Sequence, residues 1–151
     1  MNDTATDGDI RERIRQLNSG APPCVQSLGG RVEDYDPERR LIVMSFSMPL
    51  DFCHSGNIVQ GGFVTGMLDA AMAHAVFMEL GMRIALPSLD INVSFLRPTL
   101  AGSQRAHGHI LRLGRSVAFL EGELFDEEDR LTARATSTAR VIRRDEPGGA
   151  A

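Results

Sequence analysis

The sequence reads GGFVTGMLDAAMAHAVFMEL over residues 61–80. It is apolar almost all the way round a helix, it opens on two glycines, and Gly81 follows as a stop signal. At 1.5 Å per residue it predicts a helix about 30 Å long. A helix without a polar face has to be enclosed by protein on most sides, so we expect it at the centre of the domain.

The longest apolar stretch, residues 63–77, is interrupted by Asp69 and His74. It is shorter than the roughly 20 residues that a membrane-spanning helix needs. The sequence therefore predicts a buried helix and no membrane partner. His74 lies five residues from Asp69, on a different face of the helix, and is expected to be structural.

Extended segments surround this helix. Alternating residues predict strands at 31–35 and 40–48 before it, and at 88–96, 103–113, 116–125 and 131–142 after it. The later strands are joined by links of hairpin length, as between antiparallel neighbours. The prediction is an α+β domain in which an antiparallel sheet of about six strands wraps one long central helix. Such a sheet leaves edges to be covered, so we expect at least a homodimer.

The chain divides into three parts by pattern. Residues 1–28 form an N-terminal segment with a short amphipathic helix at 9–17, broken by Pro22 and Pro23. Residues 29–142 form the domain. Residues 143–151, charged and then rich in glycine and alanine, predict a disordered tail.

Composition excludes several classes of function. The chain has 151 residues with 16 basic and 20 acidic side chains, and no block of five or six like charges, which argues against a nucleic acid or anionic membrane partner. Cys24, Cys53 and the four histidines show no spacing typical of metal ligands, so we expect no metal and free thiols. An acidic N-terminus without an apolar run predicts no signal peptide, hence a cytoplasmic protein.

Asp69 is the first candidate for chemistry, because it is the only acid between residues 63 and 77. A carboxylate inside an apolar helix is costly to bury unless it is paired or functional. The structural alternative is a hydrogen bond to a neighbour such as Thr65, one turn earlier. Gly61 and Gly62 begin the helix, where unpaired N–H groups can face a developing oxyanion, or where two glycines merely permit a sharp turn.

A basic turn is the second candidate. Arg112, Arg115 and Ser116 surround Gly114, and guanidinium groups match phosphate geometry. The alternative is an ordinary exposed hairpin.

Four segments together carry a recognisable pattern: NIVQGGF at 57–63, LD at 68–69, DINVSFLRP at 90–98 and RLGRS at 112–116. In this order and spacing they resemble the PaaI-like acyl-CoA thioesterases, which have the hotdog fold. The likeness covers about residues 29–142. It implies hydrolysis of an acyl thioester by a homodimer or a tetramer built as a dimer of dimers. Each active site then combines the helix start of one chain with the acidic helix residue of the other, and coenzyme A enters only as part of the substrate.

The resemblance also implies roles for single residues. The Gly61 N–H polarises the carbonyl, Asp69 acts as general base or nucleophile, and Ser88 matches a position that holds the attacking water in some members. The coenzyme A phosphates or adenine are expected near Arg112, Gly114, Arg115 and Ser116, and Gly62 and Thr65 complete the predicted substrate contacts.

The chain departs from the family pattern at the loop before the helix. Gln60 stands where many members have the histidine of a His-Gly-Gly motif, and His54 stands where they have an asparagine. An amide cannot do acid–base work at neutral pH, so Gln60 is expected to orient the thioester or fix the loop. Asn57 and His54, which flank the same loop, are the two candidates to take the place of the missing asparagine.

Two alternatives remain beside hydrolysis. A hotdog hydratase or dehydratase typically requires an aspartate and a histidine that act together from a short motif. The loop before the helix has no such pair, so this alternative is disfavoured. A non-catalytic acyl-CoA or lipid-binding module is left open by Gln60. The sequence does not indicate which acyl group is bound.

Overall fold

The structure, a computed structural model, describes residues 5–144. The apolar stretch is helical over its whole predicted range, and Gly81 ends it. Within the described residues the α-helices are α1 (Asp7–Ser19), α2 (Pro23–Ser27) and α3 (Gly61–Leu80), and a short 3-10 helix covers Leu50–Phe52. The strands are β1 (Arg31–Asp36), β2 (Leu41–Met48), β3 (Cys53–Ser55), β4 (Ile58–Val59), β5 (Ile84–Ala85), β6 (Ser88–Phe95), β7 (Gly102–Leu113), β8 (Val117–Phe125), β9 (Leu131–Arg140) and β10 (Ile142–Arg143).

The main sheet is antiparallel and has the order β1-β2-β7-β8-β9-β6. Its two edges are therefore β1 and β6. Alternate residues of β2, β8 and β9 are buried against α3, as a sheet covered on one face requires. The predicted α+β architecture, with six antiparallel strands around one long helix, is confirmed.

Helix α3 lies so close to the sheet that two opposing strand positions are glycines. A Cβ built on Gly108 of β7 would stand 2.2 Å from the carbonyl oxygen of Ala71, and one on Gly122 of β8 would stand 3.2 Å from Leu68 Cδ2. Leu68, Ala71 and Met72 are fully buried. Gly108 thus lets the helix backbone approach the strand backbone, and Gly122 leaves room for the side chains of Leu68 and Met72.

The last predicted strand, 131–142, is interrupted. Strand β9 ends at Arg140, and β10 leaves the main sheet to pair with β5. At the break the Val141 N–H donates to the carbonyl of Ser116 instead of a sheet neighbour. Of the predicted tail, Arg143 belongs to β10, and residues 145–151 lie outside the described residues.

The N-terminal segment packs onto the domain. Leu17, Val25 and Leu28 are buried in the same core as α3. Arg13 Nη1 donates to the carbonyl of Met78 at 2.6 Å, which satisfies a terminal carbonyl of α3. The short helix α2 was not predicted from the two prolines, yet proline is accepted at the first position of a helix, where its missing N–H would have no partner.

The predicted structural role of His74 agrees with its surroundings. Its Nδ1 lies 2.7 Å from the Ala70 carbonyl, and its ring meets Phe77 edge-on at 5.6 Å. Burial lowers the pKa of the His74 imidazole, because the charged form loses hydration.

Candidate active site

Gln60 caps the start of α3. Its backbone is extended, and its side-chain Oε1 accepts a hydrogen bond from the Gly62 N–H at 2.8 Å. Its own backbone N–H donates to the carbonyl of Phe52, and its carbonyl accepts from Phe63 and Val64. The glutamine thus fixes the loop-to-helix junction and occupies the Gly62 amide.

The backbone amide of Gly61 is not capped in this way. Within residues 5–144 the Gly61 N–H has no hydrogen-bond acceptor, whereas the Gly61 carbonyl accepts from Thr65 Oγ1 at 2.9 Å. An unpaired N–H at the first position of a 20-residue helix carries the positive end of the helix dipole. Such a donor suits the oxygen of a carbonyl on which negative charge develops.

Asp69 is held by the first residue of the edge strand. Ser88 Oγ donates to Asp69 Oδ1 at 2.8 Å, and the carboxylate is partly exposed. Thr65, the structural partner considered from the sequence, gives its hydroxyl to Gly61 instead. The structure therefore brings Asp69 and Ser88 together and leaves the second carboxylate oxygen for other contacts.

Gly61 and Asp69 cannot serve one carbonyl within a single chain. Eight residues of α-helix separate them by about 12 Å along the axis. A reacting carbonyl has to lie about 3 Å from both its hydrogen-bond donor and its attacking group. A second chain is needed if these two residues act on the same substrate.

Aromatic rings surround the helix start, which sequence reasoning missed. The tip of the Phe95 ring lies 3.3 Å from the position that a Cβ on Gly61 would take. Phe52 and Phe63 stack beside Gln60 with their centroids 4.3 Å apart. The inward side of β6 could have suggested Phe95 only if the strand register had been known.

His54 and Asn57 do not join this group. Both are exposed on the hairpin formed by β3 and β4, where His54 Nδ1 lies 2.7 Å from Ser55 Oγ. The Asn57 backbone carbonyl accepts from Ala101. Neither side chain is hydrogen-bonded to Gln60 or Asp69, so neither replaces the missing asparagine in this arrangement.

The basic turn lies at the same end of the sheet as Ser88. Leu113, Ala118, Ala139 and Ser88 are consecutive partners across β7, β8, β9 and β6. Three strand spacings of about 4.8 Å put Ser88 roughly 14 Å from this turn. Arg112, Arg115 and Ser116 are exposed, and the Gly114 N–H closes the turn on the Val117 carbonyl at 2.8 Å. The guanidinium groups are thus available to a ligand that extends away from Asp69.

Comparison with known proteins gives a consistent set of relatives. The model of the thioesterase superfamily matches residues 56–133. The medium/long-chain acyl-CoA thioesterase YigI of Escherichia coli is 27% identical over 132 residues, which cover 79% of this chain and 85% of that protein. A relative from Thermoplasma volcanium is 28% identical over 88 residues, 58% of this chain, and the match spans only 65% of that relative's length.

A solved structure extends the likeness to three dimensions. A phenylacetic acid degradation-related protein from Ralstonia eutropha superimposes with a TM-score of 0.76 at 30% identity. The match covers 85% of this chain and 98% of that chain.

Proposed function

The chain belongs to the thioesterase superfamily, and on that premise we propose that it hydrolyses an acyl-CoA thioester to the free acid and coenzyme A. The resemblance to PaaI-like proteins and to the hotdog fold is confirmed by the same comparisons. The observation that carries the proposal is the Gly61 N–H, which is unpaired at the start of α3 while its neighbour is capped by Gln60. YigI, named for medium- and long-chain acyl-CoA, supports coenzyme A esters as the substrate class.

The proposed chemistry uses two groups. The thioester oxygen accepts from Gly61 N–H, and this contact strengthens as the carbonyl becomes an oxyanion. Asp69 either takes a proton from the attacking water or attacks the carbonyl carbon itself to give an anhydride that water then hydrolyses. In both routes the carbon–sulfur bond breaks, and the thiolate of coenzyme A leaves and is protonated. Ser88 holds one carboxylate oxygen so that the other faces the substrate.

We propose a dimer because the site is incomplete in one chain. Among residues 5–144, strand β6 is paired on one side only, by β9, and its exposed residues include Leu89 and Phe95. Its start carries Ser88 beside Asp69, and its end carries Phe95 beside Gly61. Antiparallel pairing of two β6 edges about a two-fold axis sets the start of one strand beside the end of the other. This pairing brings Asp69 of one chain toward Gly61 of the partner subunit.

The basic turn completes the proposal. Arg112 and Arg115 contact phosphates of coenzyme A, because guanidinium groups bind phosphate oxygens in pairs. The acyl group itself is left to experiment.

The test is coenzyme A release from a panel of short, medium, long-chain and aromatic acyl-CoAs. We expect release from at least one member, and a loss of about 10²-fold or more in Asp69→Asn, the scale for removing a positioned base. Asp51→Asn, the same change at an exposed carboxylate, is the matched control and should leave the rate unchanged. Tight binding without release from any member would overturn the proposal in favour of a binding module.

A further inference from the structure

Phe95 occupies the space that a side chain at position 61 would fill. Its Cζ and Cε1 lie 3.3 and 3.4 Å from the Cβ position of Gly61. The ring comes from the last residue of β6, opposite Ala133 of β9, on the face of the sheet that looks toward α3. The contact joins the edge strand to the helix start at Gly61, the residue whose amide is unpaired within residues 5–144.

The ring is not a core residue in the ordinary sense. Phe95 is 55% exposed, whereas its partner Ala133 is fully buried. In the proposed dimer this exposed surface lies on the β6 edge that pairs with the partner subunit, where the shared site forms, and the ring tip lies against Gly61.

We propose that Phe95 is a specificity-determining residue, the wall that limits how bulky an acyl group can be next to the thioester carbonyl. This inference rests on the proposed thioester hydrolysis. A carbonyl oxygen bound to Gly61 N–H lies about 3 Å from the amide nitrogen, and the ring tip lies 3.3 Å from the Cβ position of the same residue, so the ring borders the bound acyl group in this proposal. A straight acyl chain, which has no branch at the carbon next to the carbonyl, passes the ring. A branch or an aromatic ring at that carbon collides with it.

Shortening the ring has a defined consequence. Phe95→Ala removes the wall without touching Gly61, Asp69 or Ser88, so the chemistry is retained and the space beside the carbonyl grows. Discrimination by one or a few carbons in an apolar pocket amounts to roughly 10- to 200-fold. The ratio of kcat/KM for branched over straight acyl groups should therefore rise by about tenfold or more.

The experiment compares pairs of substrates with equal carbon number: butyryl-CoA with isobutyryl-CoA, and heptanoyl-CoA with benzoyl-CoA as an aromatic probe. The variants are Phe95→Ala and Phe95→Leu, with Phe119→Ala as the matched control. Phe119 is a similarly exposed phenylalanine, 44%, on β8, where it pairs with Arg112 and Thr138 away from Gly61. We expect the ratio to rise in Phe95→Ala, to rise less in Phe95→Leu, and to stay within about twofold in the control.

The outcomes separate two failures. If the wild-type protein releases coenzyme A but Phe95→Ala keeps the wild-type ratio, the wall does not exist and this inference is overturned while hydrolysis stands. If the wild-type protein releases nothing from any substrate, the proposed function fails. Circular dichroism checks the fold of each variant, and loss of fold in both Phe95 variants would make the residue structural and overturn the inference.

Discussion

At the residue scale, the proposal depends on one backbone N–H, and this group can be removed without removing the helix. Gly61 is the first residue of α3, where proline is accepted, and Gln60 before it has an extended backbone, φ −63° and ψ 137°, that suits a following proline. Gly61→Pro therefore deletes the donor while the helix start is kept.

We expect Gly61→Pro to lower kcat about 10²- to 10³-fold, the range for losing one oxyanion donor. Gly61→Ala is the matched control, because it adds the same Cβ against Phe95 but keeps the N–H. Steady-state kinetics with the best acyl-CoA of the panel makes the comparison. Equal losses in the two variants would show that crowding by the Cβ, and not the missing N–H, is responsible.

At the element scale, the closeness of α3 to the sheet has a cost that can be measured. Gly108→Ala forces a Cβ to within 2.2 Å of the Ala71 carbonyl, a contact that backbone on both sides prevents from relaxing. We expect the free energy of unfolding to fall by about 2 kcal/mol or more, in the range of overpacked cores. Urea denaturation followed by circular dichroism measures it.

The control for this prediction is the same substitution in an open place. Gly8 lies in α1, and a Cβ there would meet only Thr6 Oγ1, at 3.7 Å. Gly8→Ala should raise the free energy of unfolding by up to about 1 kcal/mol, because alanine favours helix over glycine. A Gly108→Ala protein as stable as the wild type would mean that α3 does not sit this close to β7.

The C-terminal end of α3 is held against the sheet by polar contacts of Glu79. Tyr35 of β1 donates its hydroxyl to Glu79, whose other oxygen lies 3.4 Å from Arg40 Nη2. Burial and the hydrogen bond to Glu79 raise the pKa of Tyr35 above its ordinary value of 10.0. The folded protein therefore holds this proton more tightly than the unfolded chain.

This difference predicts an alkaline loss of stability. The contribution of Tyr35 is fully present below pH 10 or so and is lost progressively as the pH rises through the raised folded pKa. Tyr35 is the only tyrosine and the chain has no tryptophan, so phenolate absorbance follows this one residue. We expect its ionisation to coincide with unfolding, and Tyr35→Phe to flatten the alkaline decline. Ionisation of Tyr35 at its ordinary pKa while the protein stays folded would contradict this prediction.

Long elements were predictable from the sequence because their pattern is local. Helix α3 follows from an apolar stretch between glycines, and Asp69 stands out as a lone acid within it. The bond from Ser88 to Asp69 and the contact of Phe95 with Gly61 were not predictable, since both depend on how β6 pairs with β9. A bulge between Ser88 and Asp90 shifts the register there. A register shift of one residue changes which side chains of β6 face the helix. The alternation of polar and apolar residues in the sequence does not reveal such a shift.

At the scale of the whole molecule, the geometry predicts that two inactive variants restore activity together. In Asp69→Asn every site lacks its acid, and in Gly61→Pro every site lacks its donor. If each site takes Asp69 from one chain and Gly61 from the partner subunit, a mixed dimer has one site with both groups intact and one with neither. It should reach about half the wild-type activity.

The measurement uses co-expression of the two variants with different affinity tags, followed by purification on both tags in succession. Each variant alone, carried through the same purification with two tagged copies, provides the background. A site contained within one chain predicts the opposite result, because every site in the mixed dimer would then carry one of the two defects. Activity at background level would therefore reject the shared site, and failure of the two tags to purify together would reject the dimer itself. Recovery of half the activity requires that β6 edges, or another two-fold contact, bring the start of α3 in one chain to the acid of the other.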